Sequence, residues 1–331
     1  MKPQKATARA HPNIALVKYW GKRDQALVLP HQSSFSVTLA PLEVTTTVEL
    51  QAPRAAVELN GKEAVGRERE RVLALVEAVG RELGQALGSV RVVSRGNFPM
   101  AAGLASSAAG FAALALATRA AAGLPQDAVA TSRLARAGSG SASRSVQGGF
   151  CTWHRGSRAD GEDSFASQDF PEGHWPELRL LACVVSREEK EVSSRDGMAS
   201  TVETSPYYPG WVVDAEAEVP RAREAVRRRD FTALGALCER NAWRMHATAF
   251  AADPPLCYWK PETLALVLAL PEARAKGCPV YFTLDAGPNP VLLTTAEHVA
   301  RVEALARAAG ASDVVRCAPG GDARLLEEPL F

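Results

Sequence analysis

A chain of 331 residues, 47% apolar and 23% charged, can bury a large core and is long for one compact unit, so two domains are expected. Its 38 basic and 37 acidic side chains leave a formal net charge of +1, which excludes a global field for nucleic acid or an anionic membrane; any anion site must be built locally. The six cysteines (151, 183, 238, 257, 278 and 317) form no C-x-x-C pair and the six histidines show no zinc spacing, so free thiols in a reducing cytosol are expected.

The opening MKPQKATARAHPN lacks the apolar core of a secretory signal, and the longest apolar stretch, 108–117, is too short to span a bilayer. A cytoplasmic protein is expected. An apolar strand at 13–17 delivers Lys18, Tyr19, Trp20, Gly21, Lys22 and Arg23. Two ammonium groups converging on one spot suit a substrate with more than one negative charge. Solvated lysines at a strand end are the plainer reading. The β-branched alternation in FSVTLAPLEVTTTVEL predicts strands over 34–48. Residues 55–59, followed by Asn60-Gly61, predict a strand entering a tight hairpin. Helical periodicity covers 68–83, and SVRVVS at 89–94 reads as a strand.

Next, PMAAGLASSAAG at 99–110 sets glycine, small residues and two hydroxyls before a run of helix formers. A helix start leaves backbone N–H groups unpaired and partially positive, which suits a phosphate. Ala102, Gly103, Leu104 and Ala105 let an anion approach the backbone, and Ser106 and Ser107 offer hydroxyls to phosphate oxygens or a magnesium ion. No lysine follows the second glycine, so this is not the G-x-x-x-x-G-K-[ST] loop; an alanine-rich core helix with a serine cap fits equally. That helix is expected from about 105 to 122, ending at Gly123, and another over 127–137 runs into a glycine- and serine-rich loop at 138–149. There Ser139, Gly140, Ser141, Ala142 and Ser143 would line an anion pocket, with Arg144 gripping a carboxylate or phosphate bidentately.

Residues 178–186 read as a buried strand, and the polar stretch 187–210 as the loop dividing a lobe at 1–186 from one at 187–331. Ser193, Ser194 and Arg195 within it either supply phosphate donors or belong to an exposed interdomain loop. Helices are expected at 213–228, 231–248, 261–276 and 297–309, with His246 packed inside rather than acting as a ligand. Strands at 280–284 and 291–294 flank a turn, as strands of a second sheet would, and 313–317 is a further short strand. Asp285 closes the first of them, placed either as a general base or as a turn-initiating aspartate. The pattern is α+β with two lobes.

The segments NIALVKYWGKRD with LVLPHQSSFSVTL, NFPMAAGLASSAAG, RAGSGSASRSVQGGF and LDAGPN together resemble the GHMP kinase superfamily and, within it, the diphosphomevalonate decarboxylases. VSSRDGM, TVETSP and NAWRMHATAF look like family segments too, so the resemblance covers most of the chain. It implies an N-terminal lobe like ribosomal protein S5 domain 2 and a ferredoxin-like C-terminal lobe, with the site between them. It also implies that ATP with Mg²⁺ phosphorylates the tertiary 3-hydroxyl of (R)-5-diphosphomevalonate. Phosphate and CO₂ then leave to give isopentenyl diphosphate, in the mevalonate route to isoprenoids.

Carried onto this chain, the resemblance makes Asp285 the base for the 3-hydroxyl, Lys18 its charge partner and Arg144 the group that orients the substrate carboxylate. Tyr19, Trp20, Gly21, Lys22 and Ser139 to Ser143 would hold the substrate, with Ser193, Ser194 and Arg195 from the second lobe, and Asn13 ordering the Lys18 strand. Residues 102–107 would cradle the ATP phosphates, with Ser106 or Ser107 meeting magnesium. A homodimer is implied as well. Met100, His31-Gln32, Gln147 and Leu284 depart from the family pattern, and the family's helix arginine near 69–71 has no assigned counterpart. The alternatives are a sister enzyme (a phosphomevalonate decarboxylase or mevalonate 3-kinase) or a silent metabolite-binding protein; the last predicts losses among Lys18, Arg144 and Asp285, all of which are present.

Overall fold

Alternating β-branched residues near the N-terminus build the first layer. In the computed structural model, which describes residues 4–98, 106–188 and 190–331, β1 (Lys5–Ala10) leads to β2 (Asn13–Val17) and a short pair, β3 (Lys22–Asp24) and β4 (Leu29–Pro30). Strands β5 (Ser34–Ala40) and β6 (Val44–Leu50) follow, then the hairpin β7 (Ala56–Leu59) and β8 (Lys62–Glu63). Asn60 and Gly61 at its tip have φ of 51° and 79°, the twist-matched geometry that Asn-Gly favours. Helix α1 (Gly66–Leu83) buries Val72, Leu75, Val76 and Val79 at helical spacing, and β9 (Val90–Gly96) pairs with β6 and β7.

The phosphate-loop residues Ala102 to Ala105 lie outside the described residues. Helix α2 (Ser106–Ala121) begins directly after them and lies against β1 and β6, its alanines allowing close approach. Asp127 caps α3 (Ala128–Gly138), accepting the Ala130 N–H at 3.0 Å. The stretch expected as a loop from 138 is instead a 3₁₀ turn over Gly140–Ser145, with Ala142, Ser143, Arg144 and Ser145 buried. Small side chains allow that turn to sink beneath α2 and α3.

Strands β10 (Phe150–Trp153), β11 (Ala166–Phe170) and β12 (Leu178–Val184) come next. The polar stretch 187–210, expected as a loop, carries a helix, α4 (Ser194–Thr204): Ser193 caps it and Met198 and Thr201 are buried beneath. Helices α5 (Tyr208–Arg228), α6 (Phe231–Phe250) and α7 (Pro261–Ala275) precede β13 (Tyr281–Thr283) and β14 (Val291–Thr295), and α8 (Val299–Ala308) precedes β15 (Asp313–Pro319) and β16 (Arg324–Leu326).

One sheet runs β16-β1-β6-β9-β7-β8; the other runs β11-β10-β5-β15-β12-β14-β13, with β2 also paired to β5. Within the second, β15-β12-β14-β13 is the strand order of a ferredoxin-like β-α-β-β-α-β unit, and the two-lobe α+β class is the one observed. The C-terminal strands do not form a sheet of their own as expected. Ala318 and Pro319 at the end of β15 pair with Ala40 and Leu39 of β5, welding them to the N-terminal strands. The chain end then returns to the first sheet, Leu325 opposite Ala8. Helices α5 and α6 pack on the joined sheet around Phe35, Leu180, Leu234 and Met245.

Candidate active site

Strand β2 ends at Val17, and its next residue is a deeply buried charge. Lys18 is 1% exposed, and its Nζ lies 2.6 Å from Asp285 Oδ1, at the far end of the apolar run 280–284. Burial lowers the Lys18 pKa, Asp285 opposing that shift; an ammonium this deep requires a partner. Thr283 fastens the two strands directly, its Oγ1 donating to the Ala15 carbonyl at 2.9 Å.

Around this pair opens a cavity of about 660 Å³. Its walls carry six cations, Lys22, Arg67, Arg71, Arg144, Lys190 and Arg195, against two carboxylates, Glu68 and Asp285. Tyr19, Trp20, Ser107, Ser139, Gly140, Ser141, Ser193 and Ser194 also line it. Two lobes sharing a sheet thus enclose a small polar chamber suited to a compact polyanion.

The expected residues that the structure describes fall as follows. Arg144 is 2% exposed, with Nε donating to Asn13 Oδ1 at 3.1 Å and Nη1 to Ser34 Oγ at 2.6 Å. Burial lowers its pKa to about 10, still far above neutrality. Asn13 Nδ2 donates to the Ser141 carbonyl and Ser145 Oγ, so its side chain orders the 3₁₀ turn rather than the Lys18 strand. Gly140 permits close packing: a Cβ there would meet Tyr19 Cε1 at 2.8 Å and Trp153 at 2.9 Å. The Tyr19 hydroxyl is buried without a hydrogen-bond partner among the described residues, and burial pushes its pKa up. Gly21 has φ +96° and a Cβ there would meet the Tyr208 hydroxyl at 1.9 Å, so it too serves packing. Ala142 and Ser143 are turned inward, both 0% exposed, with Ser143 Oγ donating to the Gly140 carbonyl.

The two lysines, expected to converge, serve different neighbours. Lys18 sits against Asp285 near Arg144, whereas Lys22 sits among Arg195, Arg71 and Arg67. Burial, and then the repulsion of those arginines, brings the Lys22 pKa down to about 8. Ser107 Oγ and Ser139 Oγ stand 3.4 Å apart across the chamber; Ser106 opens α2. His246 is fully buried, as expected of a packed histidine, and burial lowers its pKa to about 3.

Reading the sequence missed Arg71, Arg67, Lys190 and Met245. Arg71 donates to the Gly138 carbonyl at 2.8 Å and lies 4.6 Å over the Phe111 ring. Arg67 and Arg71 are four apart on α1, which puts them on one face, and that spacing was the available signal. Lys190 donates to the Ala286 carbonyl and to Ser194 Oγ.

The fold and this cation-lined cleft define a GHMP-type enzyme. Residues 10–166 match the diphosphomevalonate decarboxylase-like N-terminal domain, and residues 180–317 match the mevalonate 5-diphosphate decarboxylase C-terminal domain. The chain is 42% identical to diphosphomevalonate decarboxylase mvd1 of Aspergillus fumigatus over 308 residues, covering 87% of this chain and 76% of that one. It superposes on a structure of MDDEF in complex with MVAPP, AMPPCP and magnesium with a TM-score of 0.91, at 39% identity, over 98% and 100% of the two chains. For the mevalonate diphosphate decarboxylase of Enterococcus faecalis, studied for its mevalonate diphosphate mediated ATP binding, the TM-score is 0.90 at 38% identity, again over 98% and 100%. The chain belongs to the diphosphomevalonate decarboxylase family.

Proposed function

We propose that this protein catalyses the ATP-dependent decarboxylation of (R)-5-diphosphomevalonate to isopentenyl diphosphate, releasing ADP, phosphate and CO₂. The observation that carries this reading is the ion pair at 2.6 Å between buried Lys18 and half-buried Asp285 beside Arg144, in a chamber walled by cations. The family relatives reported above support it.

Asp285 accepts the 3-hydroxyl proton as that oxygen attacks the terminal phosphoryl group of ATP, and Lys18 keeps the carboxylate ionised and offsets charge during transfer. A tertiary hydroxyl leaves poorly and a phosphate leaves well. Its departure develops positive charge on the tertiary carbon that bears the carboxymethyl group, so breaking the bond to CO₂ supplies the electrons of the new double bond. Arg144, fixed by Asn13 and Ser34, orients that carboxylate. Lys22, Arg71 and Arg195 stand together and hold the diphosphate, and the orphan Tyr19 hydroxyl offers it a donor. Ser139, Ser141, Ser193 and Ser194 add hydroxyls from both lobes. We assign the ATP phosphates to residues 102–107 at the start of α2.

Magnesium fits the chamber's donors, which are hard oxygens, Ser107 Oγ and Ser139 Oγ among them. When bound, it neutralises the charge gathered on the phosphate oxygens. We further propose that residues 1–186 form the ATP- and substrate-binding lobe, and that residues 187–331 bring Asp285 and add Ser193, Ser194 and Arg195 to the substrate wall. A cytoplasmic homodimer is also proposed. Six free cysteines fit a reducing compartment, and Leu264 and Leu268, exposed one turn apart on α7, offer an apolar face to a second copy. No described helix is long and apolar enough to cross a membrane.

The test offers purified protein (R)-5-diphosphomevalonate, 5-phosphomevalonate and mevalonate in parallel, each with ATP and Mg²⁺. Turnover confined to the diphosphate is expected. Preference for either of the others would reassign the chain to a sister enzyme, and no turnover on any would favour a silent binding protein.

A further inference from the structure

Helix α6 places Asn241 directly behind the Lys18 peptide. Asn241 is fully buried, and its side chain faces two ways. Its Oδ1 accepts the Lys18 backbone N–H at 2.7 Å, and its Nδ2 donates to Glu218 Oε2 at 2.7 Å. An amide can turn over; a carboxylate only accepts. Glu218 therefore compels Asn241 to give it the nitrogen and to present the oxygen to Lys18.

Glu218 is 1% exposed on α5, with Oε1 held by Arg240 at 2.8 Å and Arg244 at 3.4 Å. A buried carboxylate is a costly way to pack one helix on another, since apolar side chains do that without a desolvation penalty. What its charge adds here is direction. At the next peptide, Gln32 Nε2 donates to the Lys18 carbonyl at 3.3 Å. Lys18 lies just past the last β2–β5 pairing, Val17 opposite Phe35, so side chains take over the hydrogen bonds that the ladder no longer supplies.

We propose that Glu218 and Asn241 are positioning residues for the reaction, fixing the Lys18 backbone so that its ammonium stays against Asp285. The inference rests on the decarboxylase reading. Neither residue lines the chamber, so they act on catalysis only through Lys18, and substrate binding does not depend on them.

The test is a double-mutant cycle of Glu218→Gln, Asn241→Asp and the two combined, with kcat and KM for (R)-5-diphosphomevalonate measured beside the parent. Asn241→Asp keeps an acceptor for Lys18 but sets two carboxylates against each other, while Glu218→Gln lets Asn241 turn over. The combined change restores one donor and one acceptor, the new amide at 218 donating to the new carboxylate at 241. Each single change is expected to lower kcat by roughly 10–100-fold while KM moves less than about threefold, and the combination is expected to recover about tenfold over Asn241→Asp. A folded single variant with kcat within about twofold of the parent overturns the proposal, as does a fall in kcat matched by an equal rise in KM. If a single variant fails to fold, the combined variant decides: near-parental kcat supports the pairing, and failure to recover contradicts it. A parent without turnover overturns the decarboxylase reading and this inference with it, whereas an active parent whose variants depart from the predicted pattern overturns the inference alone.

Discussion

At the scale of single residues, the site is a division of labour among charges of different burial. Asp285 is the proposed base, so Asp285→Asn is expected to bind both substrates and lose turnover by roughly 10²–10⁴-fold, checked by steady-state kinetics beside calorimetric binding. Arg144 is anchored on two of its nitrogens, a geometry that a lysine cannot copy. Arg144→Lys is expected to lower kcat/KM by about 10–100-fold, and parental kinetics would show that charge alone suffices.

Lys22 gives a pH signature. Its folded-state pKa lies at about 8, below its ordinary 10.5, so above about pH 8 the empty site loses an ammonium proposed to hold the diphosphate. Then kcat/KM should fall on the alkaline side, with that limb absent in Lys22→Gln. The linkage has the opposite sign for folding. Between about 8 and 10.5 the unfolded chain holds a proton that the folded one has released, so this group's contribution to stability grows as pH rises through that window. Lys18, Arg144 and Asp285 stood out in the sequence because charged groups interrupt apolar or small-residue runs there. Arg71 did not, since it ends an alternating run, RERER at 67–71, and only the packing of α1 decides which of those arginines faces the chamber.

At the scale of elements, small residues decide how closely the walls approach. Gly138 ends α3 where a Cβ would lie 2.1 Å from Phe111 Cδ1 on α2. Gly138→Ala is expected to cost about 1–3 kcal/mol, read as a lower denaturant midpoint at unchanged slope; an unchanged midpoint would show that the two helices have room to give. The same composition hid structure from sequence reasoning. Gly-Ser-Ala-Ser-Arg-Ser looks like a flexible loop until α2 and α3 are laid over it, and its turn is held by tertiary bonds such as Asn13 to Ser141 and Ser145. Helix α4 was hidden likewise: its polar composition reads as loop, and its start rests on the Ser193 cap. Strong local signals carried through, among them the Asn60-Gly61 hairpin, the helix expected from 127 and the helices α1, α5 and α6.

At the scale of the molecule, the chamber exists because two lobes share one sheet. The weld between β5 and β15 joins residues 39–40 to 318–319, nearly the whole chain apart, and no local pattern announces a pairing at that separation. Lys18 and Asp285 arrive from opposite ends of the sequence for the same reason. A lobe boundary crossed by a sheet is expected to unfold as one unit. Calorimetry should show a single transition with equal calorimetric and van't Hoff enthalpies, and two separated transitions would contradict the weld.

The most direct measurement follows ADP and CO₂ together from purified protein supplied with ATP, Mg²⁺ and (R)-5-diphosphomevalonate. One CO₂ for each ADP is the predicted result, because phosphorylation at the Asp285–Lys18 pair and decarboxylation beside Arg144 are proposed as steps of one turnover. ADP without CO₂ would make the chain a kinase that stops at the phosphorylated substrate, and would contradict the account of the site given above.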